Sequence, residues 1–294
     1  MIKMKKPNFF IVGQTKSGTT SLKEYLMQHS DVFLSNPKWP RGKGHFGWFS
    51  DYKNNEEYLE EFQHASNEKM IGEKTTDYLF CPHTAERIKR FSPNAKIIMI
   101  LRNPVDMMFS LHGHNLYNEA FEDLKDFEEA LKAEEGRKKE YMDSKDKWHP
   151  HIFYREVARY PEQVQRYFDN FGRDNVKVII FDDFITNTEK IYKETLEFLD
   201  VDPNFKPVYS IHNEARVYRS RKLQYAMQNN ALGLRGILNK IPGSSSAFRA
   251  INQPVRKRKT MNLELRKKLQ EDVKSEVDEL GNMLSRDLSF WCKN

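Results

Sequence analysis

The stretch that decides the fold is residues 8–22, which read NFFIVGQTKSGTTSL. It opens with the apolar run Phe9–Val12, a pattern that is typical of a buried strand in a parallel sheet. Gly13 ends this run, and a helical pattern follows over Thr19–His29. The segment therefore predicts a strand, a glycine-containing loop and a helix in direct succession.

Two more apolar runs, Lys96–Leu101 and Val176–Phe181, predict strands, and helical patterns lie between them. Strands that alternate with helices favour an α/β fold with a central parallel sheet flanked by helices. The remaining helical patterns are Glu56–His64, Pro82–Phe91, a helix that begins near Pro104, Leu124–Met142, Arg155–Phe171, Thr188–Leu199 and the last forty residues. No repeat or compositional break divides residues 1–294, so we expect a single domain.

The composition of the 294 residues, with 38% hydrophobic and 31% charged, excludes a wholly disordered chain. Every apolar run is far shorter than the roughly 20 residues that span a bilayer, and the first residues lack the apolar core of a secretion signal. The two cysteines, Cys81 and Cys292, have no metal-type spacing and are expected to be reduced thiols. We therefore expect a cytoplasmic protein with no membrane partner.

The charged residues leave a small positive surplus, with 48 basic and 42 acidic side chains and a net charge of +6. Basic and acidic residues are interspersed, and the only dense basic run is Arg256–Lys259. Proteins that bind nucleic acid usually carry a stronger and more clustered positive charge. The composition therefore favours a small anionic ligand over nucleic acid.

The loop Gly13–Thr20 lies where a glycine-rich loop wraps phosphate, between a strand and the N-terminus of a helix. Its glycine spacing matches that of the nucleotide triphosphatase loop, but Thr19 stands where that motif requires lysine. The lysine lies inside the loop instead, at Lys16, which suits a ligand with fewer phosphates. A nucleotide kinase or triphosphatase on the same scaffold, and a plain strand–turn–helix join, remain alternatives at this point.

Two motifs resemble those of sulfotransferases that use 3′-phosphoadenosine 5′-phosphosulfate (PAPS), in particular the heparan-sulfate-type and bacterial members. Residues 9–22, FFIVGQTKSGTTSL, are similar to the 5′-phosphosulfate loop of that family. Residues 98–110, IMILRNPVDMMFS, resemble its second element, in which an arginine after a strand and a serine on the next helix hold the 3′-phosphate. Gly72–Tyr78 and Leu284–Trp291 also resemble family segments.

The resemblance implies a P-loop-like sulfotransferase fold and a set of donor-binding residues. The residues expected at the 5′ end of PAPS are those of the loop, namely Gly13, Lys16, Ser17, Gly18, Thr19, Thr20 and Ser21. Arg102 and Ser110 are expected at the 3′-phosphate. A guanidinium grips a phosphate with two donors, and a helix-borne hydroxyl adds another.

The implied reaction is in-line transfer of a sulfuryl group to a hydroxyl or amine of a small-molecule or carbohydrate acceptor, leaving adenosine 3′,5′-bisphosphate (PAP) and requiring no metal. Lys16 is expected to stabilise the charge that develops on the leaving 5′-phosphate. The family's glutamate base does not carry over, because Trp39 occupies its place. His45 is the replacement that we favour, since imidazole accepts protons near neutral pH, and Glu73 is the second candidate.

Three further interpretations complete the prediction. His112 and His114 are two residues apart on a helix and so lie on different faces, which favours structural or substrate-facing roles over a metal site. Asp182 follows a strand and is expected to cap the next helix. A nucleotide-binding relative without catalytic activity is the non-enzymatic alternative, since the expected glutamate is missing. The sequence makes no prediction of oligomeric state.

Overall fold

The structure, a computed structural model, describes residues 5–35, 55–116, 122–143, 152–210 and 260–293. Within these residues a sheet is formed by the strands β1 (Phe9–Gly13), β2 (Val32–Leu34), β3 (Met70–Lys74), β4 (Lys96–Leu101) and β5 (Val176–Ile180). The strands lie in the order β2-β3-β1-β4-β5, and every neighbouring pair is parallel. The predicted central parallel sheet flanked by helices is therefore confirmed.

The helices that surround the sheet follow the predicted order along the chain. Those within the described residues are α1 (Thr19–Leu26), α2 (Asn55–Glu60), α3 (Thr84–Phe91), α4 (Pro104–His114), α5 (Phe127–Asp143), α6 (Tyr154–Val157), α7 (Tyr160–Phe171), α8 (Phe181–Thr186), α9 (Thr188–Phe198), α10 (Leu263–Asp272) and α11 (Lys274–Leu284). Two short 3₁₀ turns, Thr76–Tyr78 and Ser289–Cys292, follow β3 and α11.

Side chains of β1 alternate between two separate hydrophobic cores, as the twofold period of a strand requires. Phe9 and Ile11 pack with α1 and α9 on one face, whereas Phe10 and Val12 pack with α3, α4 and α7 on the other. Because both faces are covered, the strand reads as an unbroken apolar run, and this explains why the sequence alone identified it.

Two strands, β2 and β3, are absent from the sequence prediction. β2 has only three residues, and β3 contains a glycine and two charged residues, so neither forms a long apolar run. Gly72 is required by its neighbour: a Cβ there would lie 2.4 Å from Cε1 of Phe9 and 2.6 Å from its carbonyl oxygen. Because β3 lies so close to Phe9 of β1, position 72 has room only for a glycine, which interrupts the apolar pattern of the strand.

The helical pattern predicted over residues 155–171 is divided into α6 and α7. Pro161 lies in the first turn of α7, where its missing N–H costs no hydrogen bond. In the interior of one continuous helix the same ring would clash with the preceding turn. The proline therefore restarts the helix after Ala158 and Arg159.

The carboxyl ends of β3, β1 and β4 lie side by side at one edge of the sheet. After β1 the chain moves outward to β2 and returns to β3, and it then crosses over β1 to reach β4 on the other side. Such a change of direction opens a crevice beyond the strand ends, where open α/β sheets bind their ligands. The loop after β1 lies in the middle of this edge.

Candidate functional site

The loop between β1 and α1 has the backbone of an anion-binding turn. Lys16 has a φ of 64° and Gly18 a φ of 84°, both in the left-handed region, and α1 begins immediately afterwards at Thr19. Left-handed residues within a turn point neighbouring N–H groups toward one concave side. The first N–H groups of a helix lack intrahelical acceptors and carry partial positive charge. The loop can therefore hold a phosphate or sulfate through main-chain donors.

Gln14 anchors this loop to the rest of the molecule. Its main-chain N–H donates to the carbonyl of Ile100 in β4 at 2.9 Å, and its side-chain Nε2 donates to the carbonyl of Val157 in α6 at 2.8 Å. The N–H of Thr15 donates in turn to Oε1 of Gln14 at 2.6 Å. These three bonds fix the start of the loop between two neighbouring elements.

The predicted loop residues divide into an exposed and a buried set. Lys16, Gly18, Thr20 and Ser21 are partly exposed, whereas Gly13, Ser17 and Thr19 are buried. The N–H of Ser17 donates to the carbonyl of Gln14 at 3.3 Å, and its side chain is turned into the protein. The surface that a ligand can meet is formed by Lys16, Gly18 and the start of α1.

Arg102, the first residue after β4, lies directly against this loop. Its Nη1 donates to the main-chain oxygen of Lys16 at 3.2 Å, and its guanidinium lies over the ring of Phe181, 5.0 Å from the centroid. Gly18 rests on the same ring, since a Cβ at that position would lie 3.0 Å from Cε2 of Phe181. The loop and the guanidinium therefore form one continuous basic surface supported by Phe181.

Ser110 lies on α4, the helix that begins two residues after Arg102. The side chain of Asn103 caps this helix, because its Oδ1 accepts from the N–H groups of Val105 at 3.0 Å and Asp106 at 3.4 Å. At 1.5 Å per residue, Ser110 is about 9 Å along the axis from the first helical residue. Its side chain is partly exposed.

Lys74 lies near two other lysines, Lys16 of the loop and Lys23 of α1, and the sequence analysis identified neither Lys74 nor Lys23. Lys74 ends β3, level with Ile11 of β1. Burial and the neighbouring ammonium groups of Lys23 and Lys16 lower the pKa of Lys74, against the opposing effect of Asp77 and Glu24. Burial likewise lowers the pKa of Lys23 on α1. A cluster of partly desolvated ammonium groups is stabilised by an anion, so this end of the sheet favours a multiply charged ligand.

Glu73, the second candidate base, faces the opposite side of the sheet from Lys74. Its carboxyl is buried, with only 1% of the residue exposed, between the aromatic side chains of Tyr58 and Tyr78. Burial raises the pKa of Glu73 to about 7, although the two tyrosine hydroxyls act to lower it. The burial of this carboxyl does not favour Glu73 as the base.

Of the histidines singled out in the sequence, the structure describes His112 but not His45. His45, the favoured base, lies outside the described residues, as do Trp39 and the basic run Arg256–Lys259. His112 is buried, its Nε2 donates to the carbonyl of Leu124 at 2.9 Å, and its ring packs on aromatic neighbours. Its role is therefore structural, which is one of the two roles predicted for it.

The prediction that Asp182 caps a helix is wrong. The residue before α8 is Ile180, and no side chain caps that helix. Instead, Oδ2 of Asp182 accepts a hydrogen bond from the indole Nε1 of Trp291 at 2.9 Å. The two residues are 109 positions apart, and no local pattern indicates such a pair.

Among the described residues, no three histidine, cysteine, aspartate or glutamate side chains are arranged to hold a metal ion. In the same part of the chain, no helix combines the length and the apolar character needed to cross a membrane.

Comparison with solved structures shows a close match over the whole chain. A sulfotransferase from Alicyclobacillus acidocaldarius superposes with a TM-score of 0.72 and 29% sequence identity, covering 98% of this chain and 99% of the other. Among curated proteins, the membrane-associated sulfotransferase kil1 of Dictyostelium discoideum is 23% identical over 76% of this chain, which spans 64% of that relative's length.

A mouse bifunctional heparan sulfate N-deacetylase/N-sulfotransferase 4 is 31% identical over 38% of this chain and only 13% of its own length. The model of the sulfotransferase domain matches residues 6–281 and so spans the phosphate loop, Arg102 and Ser110. The resemblance noted in the sequence is confirmed, and the chain belongs to the sulfotransferase domain family.

Proposed function

We propose that this chain transfers the sulfuryl group of PAPS to a hydroxyl or amine of a small-molecule or carbohydrate acceptor. The observation that carries the proposal is the contact between Arg102 and the main chain of Lys16, at the carboxyl edge of the sheet. It puts a guanidinium next to a loop of main-chain donors, and PAPS carries anionic groups at its 3′ and 5′ positions. A guanidinium adjacent to such a loop suits a donor with more than one anionic group.

The residues present fit the donor chemically. The left-handed loop supplies main-chain N–H groups, and Lys16 and Lys74 supply charge on the side where the sheet ends. Anion binding would relieve the repulsion that lowers the pKa of Lys74. In this proposal Lys16, Gly18, Thr19 and Thr20 hold the 5′-phosphosulfate, while Arg102 and Ser110 hold the 3′-phosphate. Ser21, partly exposed on α1, belongs to the same donor-binding set, and the buried Gly13 and Ser17 shape the loop.

When bound, PAPS supplies an activated sulfuryl group whose leaving group is a phosphate. Catalysis of such a transfer rests on alignment and on electrostatic stabilisation of the leaving oxygen. In this proposal Lys16 and the N–H groups at the start of α1 stabilise that oxygen. We keep His45 as the proposed base, because Glu73 is enclosed in the core.

The acceptor class follows from the relatives, not from a site in this structure. One relative is named as a heparan sulfate N-sulfotransferase, which acts on a carbohydrate and on nitrogen. We include both hydroxyl and amine acceptors for that reason. Purified protein with PAPS and a panel of sugars, alcohols and amines, analysed by product mass, identifies the acceptor. No sulfated product from any acceptor would favour the non-catalytic alternative.

A nucleotide kinase is the competing enzyme class, and thermal denaturation separates the two. Stabilisation by PAP in the absence of magnesium supports the sulfotransferase, because a ligand that binds the folded state raises its melting temperature. Stabilisation by magnesium-ATP alone would contradict the proposal. We favour the sulfotransferase over the kinase because Thr19 stands where a triphosphatase loop requires lysine.

We also propose a cytoplasmic location and a single catalytic domain. Cys81 and Cys292 form no disulfide with each other, in keeping with a reducing compartment. One relative is named membrane-associated, so fractionation of cells that express the chain is the test. Recovery with the membrane fraction at both low and high salt would contradict the proposed location.

A further inference from the structure

The C-terminal 3₁₀ turn is joined to the donor site through one buried side chain. Trp291 is 1% exposed, and its indole Nε1 donates to Oδ2 of Asp182 at 2.9 Å. Its main-chain oxygen accepts from Nδ2 of Asn103 at 2.9 Å and from Nε2 of Gln270 at 3.3 Å. We call Trp291, Asp182 and Asn103 the tryptophan brace.

Both residues that bind Trp291 in the brace are next in sequence to a residue of the Arg102 site, namely Arg102 itself and Phe181. Asn103 follows Arg102 and caps α4, so its two side-chain atoms connect the cap of that helix to Trp291. Asp182 follows Phe181, the ring that supports both the Arg102 guanidinium and Gly18. Trp291 therefore holds the main chain of Arg102 from one side and the ring beneath its guanidinium from the other.

The brace addresses a physical problem of this site. An arginine side chain has many rotamers, and a hydrogen bond to a phosphate gains little if the guanidinium must first be ordered. Phe181 orders it only while that ring and the Arg102 main chain keep their relative position. The bond from an indole N–H to a carboxylate is charge-assisted and directional, so it is suited to fix that position.

We propose that Trp291 is a positioning residue for the subsite that binds the 3′-phosphate, acting through Asp182 and Asn103 on Phe181 and Arg102. The inference rests on the proposed function, in which Arg102 meets that phosphate. It assigns to the C-terminal segment a part in donor recognition.

The test compares two nucleotides that differ only in the 3′-phosphate. PAP carries it and adenosine 5′-monophosphate lacks it, so the ratio of their dissociation constants, measured by calorimetry, isolates this subsite. In Trp291→Phe, which keeps a buried ring but loses the indole N–H, we expect PAP affinity to fall about tenfold. The affinity for adenosine 5′-monophosphate should stay within about twofold of the native value.

Asp182→Ala breaks the same bond from the partly exposed partner and gives a second measurement if Trp291→Phe folds poorly. It should reproduce the loss of PAP affinity, and the double variant should lose no more than either single one, since both remove one interaction. Arg286→Gln is the matched control: Arg286 ties the same C-terminal segment to Asp183 at 2.7 Å but does not contact the brace. Its nucleotide ratio should equal the native ratio.

Three outcomes contradict the inference in distinguishable ways. If Trp291→Phe and Asp182→Ala weaken both nucleotides equally, the brace contributes only to stability. If neither changes the ratio while Arg102→Ala abolishes it, the 3′ subsite is correctly assigned and the brace does not position it. If the native protein binds the two nucleotides equally, the assignment of Arg102 is itself wrong, and the proposed function fails together with the inference.

Discussion

The guanidinium of Arg102 donates a hydrogen bond from Nη1 to the main-chain oxygen of Lys16, across 3.2 Å and 86 positions of sequence. The residue that follows β4 is thereby joined to the loop that follows β1. The main-chain oxygen of Lys16 therefore accepts a hydrogen bond from within the protein. The contact makes the two proposed halves of the donor site a single unit.

Replacing Lys16 by alanine tests the role of its ammonium group. We expect the turnover number to fall about 100- to 1000-fold, because the charge that forms on the leaving phosphate loses its stabilising partner. The dissociation constant of PAP should change far less, since Arg102 and the main-chain donors remain. Steady-state kinetics and calorimetry measure the two effects. Lys69→Ala, which removes a lysine whose side chain is 65% exposed, is the control, and an unchanged turnover in Lys16→Ala would overturn the assignment.

Gly18→Ala should weaken PAP binding and lower stability. The left-handed conformation costs an alanine about 1–2 kcal/mol, and its Cβ would also meet the Phe181 ring at 3.0 Å. The ring or the loop must then shift, which disturbs the support of Arg102. Calorimetry with PAP and chemical denaturation measure the two consequences.

Gly172→Ala provides a control for that variant. Gly172 has a φ of 75° and a ψ of 157°, a conformation that alanine also adopts only at a cost, but no described atom lies within 4 Å of the Cβ that would be added. The Gly172→Ala variant should lose stability because of the unfavourable backbone conformation, but it should bind PAP with native affinity. Equal loss of PAP affinity in the two variants would mean that the contact of Gly18 with Phe181 is irrelevant to binding.

The pKa of Lys74 predicts a pH dependence of nucleotide binding. Burial and two neighbouring lysines hold this pKa below its ordinary value of 10.5, and a bound anion should raise it again. Binding therefore favours the protonated amine, and PAP affinity should fall as the pH rises toward the ordinary lysine value of 10.5. In Lys74→Met the fall should be smaller, as measured by calorimetry across this range. A native pH profile in that variant would exclude Lys74 from the site.

Glu73→Gln should change how stability depends on pH. The folded-state pKa of Glu73 is about 7, above the ordinary value of 4.5, so between these values the folded chain binds more protons than the unfolded chain. The free energy of unfolding therefore decreases as the pH rises through this window, by an amount on the order of 3 kcal/mol. The glutamine variant lacks this decrease and should gain relative stability at alkaline pH. Urea denaturation at about pH 5 and about pH 8.5 measures the difference.

Glu122→Gln is the control for that pH experiment, since its shift has the opposite sign. Burial acts to raise the pKa of Glu122, but hydrogen bonds from Arg137, Tyr154 and the N–H of Leu124 outweigh burial and hold it at about 2. This carboxylate stabilises the fold above the unfolded-state pKa, and the benefit is lost only as the pH falls toward 2. Its variant should thus be destabilised by a similar amount at both pH values. A pH slope in Glu73→Gln equal to that of the native chain would contradict the assignment to Glu73.

The strands that the sequence predicted are those with both faces buried. β1, β4 and β5 read as apolar runs because most of their residues pack into one of the two hydrophobic cores. β2 and β3 do not, since the first is short and the second carries Gly72 and two charges. The elements that position the loop were therefore predictable, but the strand that delivers Lys74 was not.

The proposed site was predictable only as far as local motifs describe it. The loop and Arg102 follow from spacing along the chain, and their roles stay predictions until a nucleotide is bound. Lys74 is brought near Lys16 by strand pairing, and the contact of Trp291 with Asp182 closes a loop of 109 residues. Such contacts depend on how distant elements pack, which no pattern of neighbouring residues encodes. His45 lies outside the described residues, so its role also stays a prediction.

Glu73 and Lys74 are consecutive on β3 and project from opposite faces of the sheet, one beside two tyrosines and the other beside two lysines. Displacing β3 by one position would exchange them. A carboxylate would then neutralise the ammonium groups, and an ammonium would be enclosed among aromatic rings. The register of β3 therefore determines whether positive or negative charge lies at the mouth of the crevice. The close contact of Gly72 with Phe9 fixes that register.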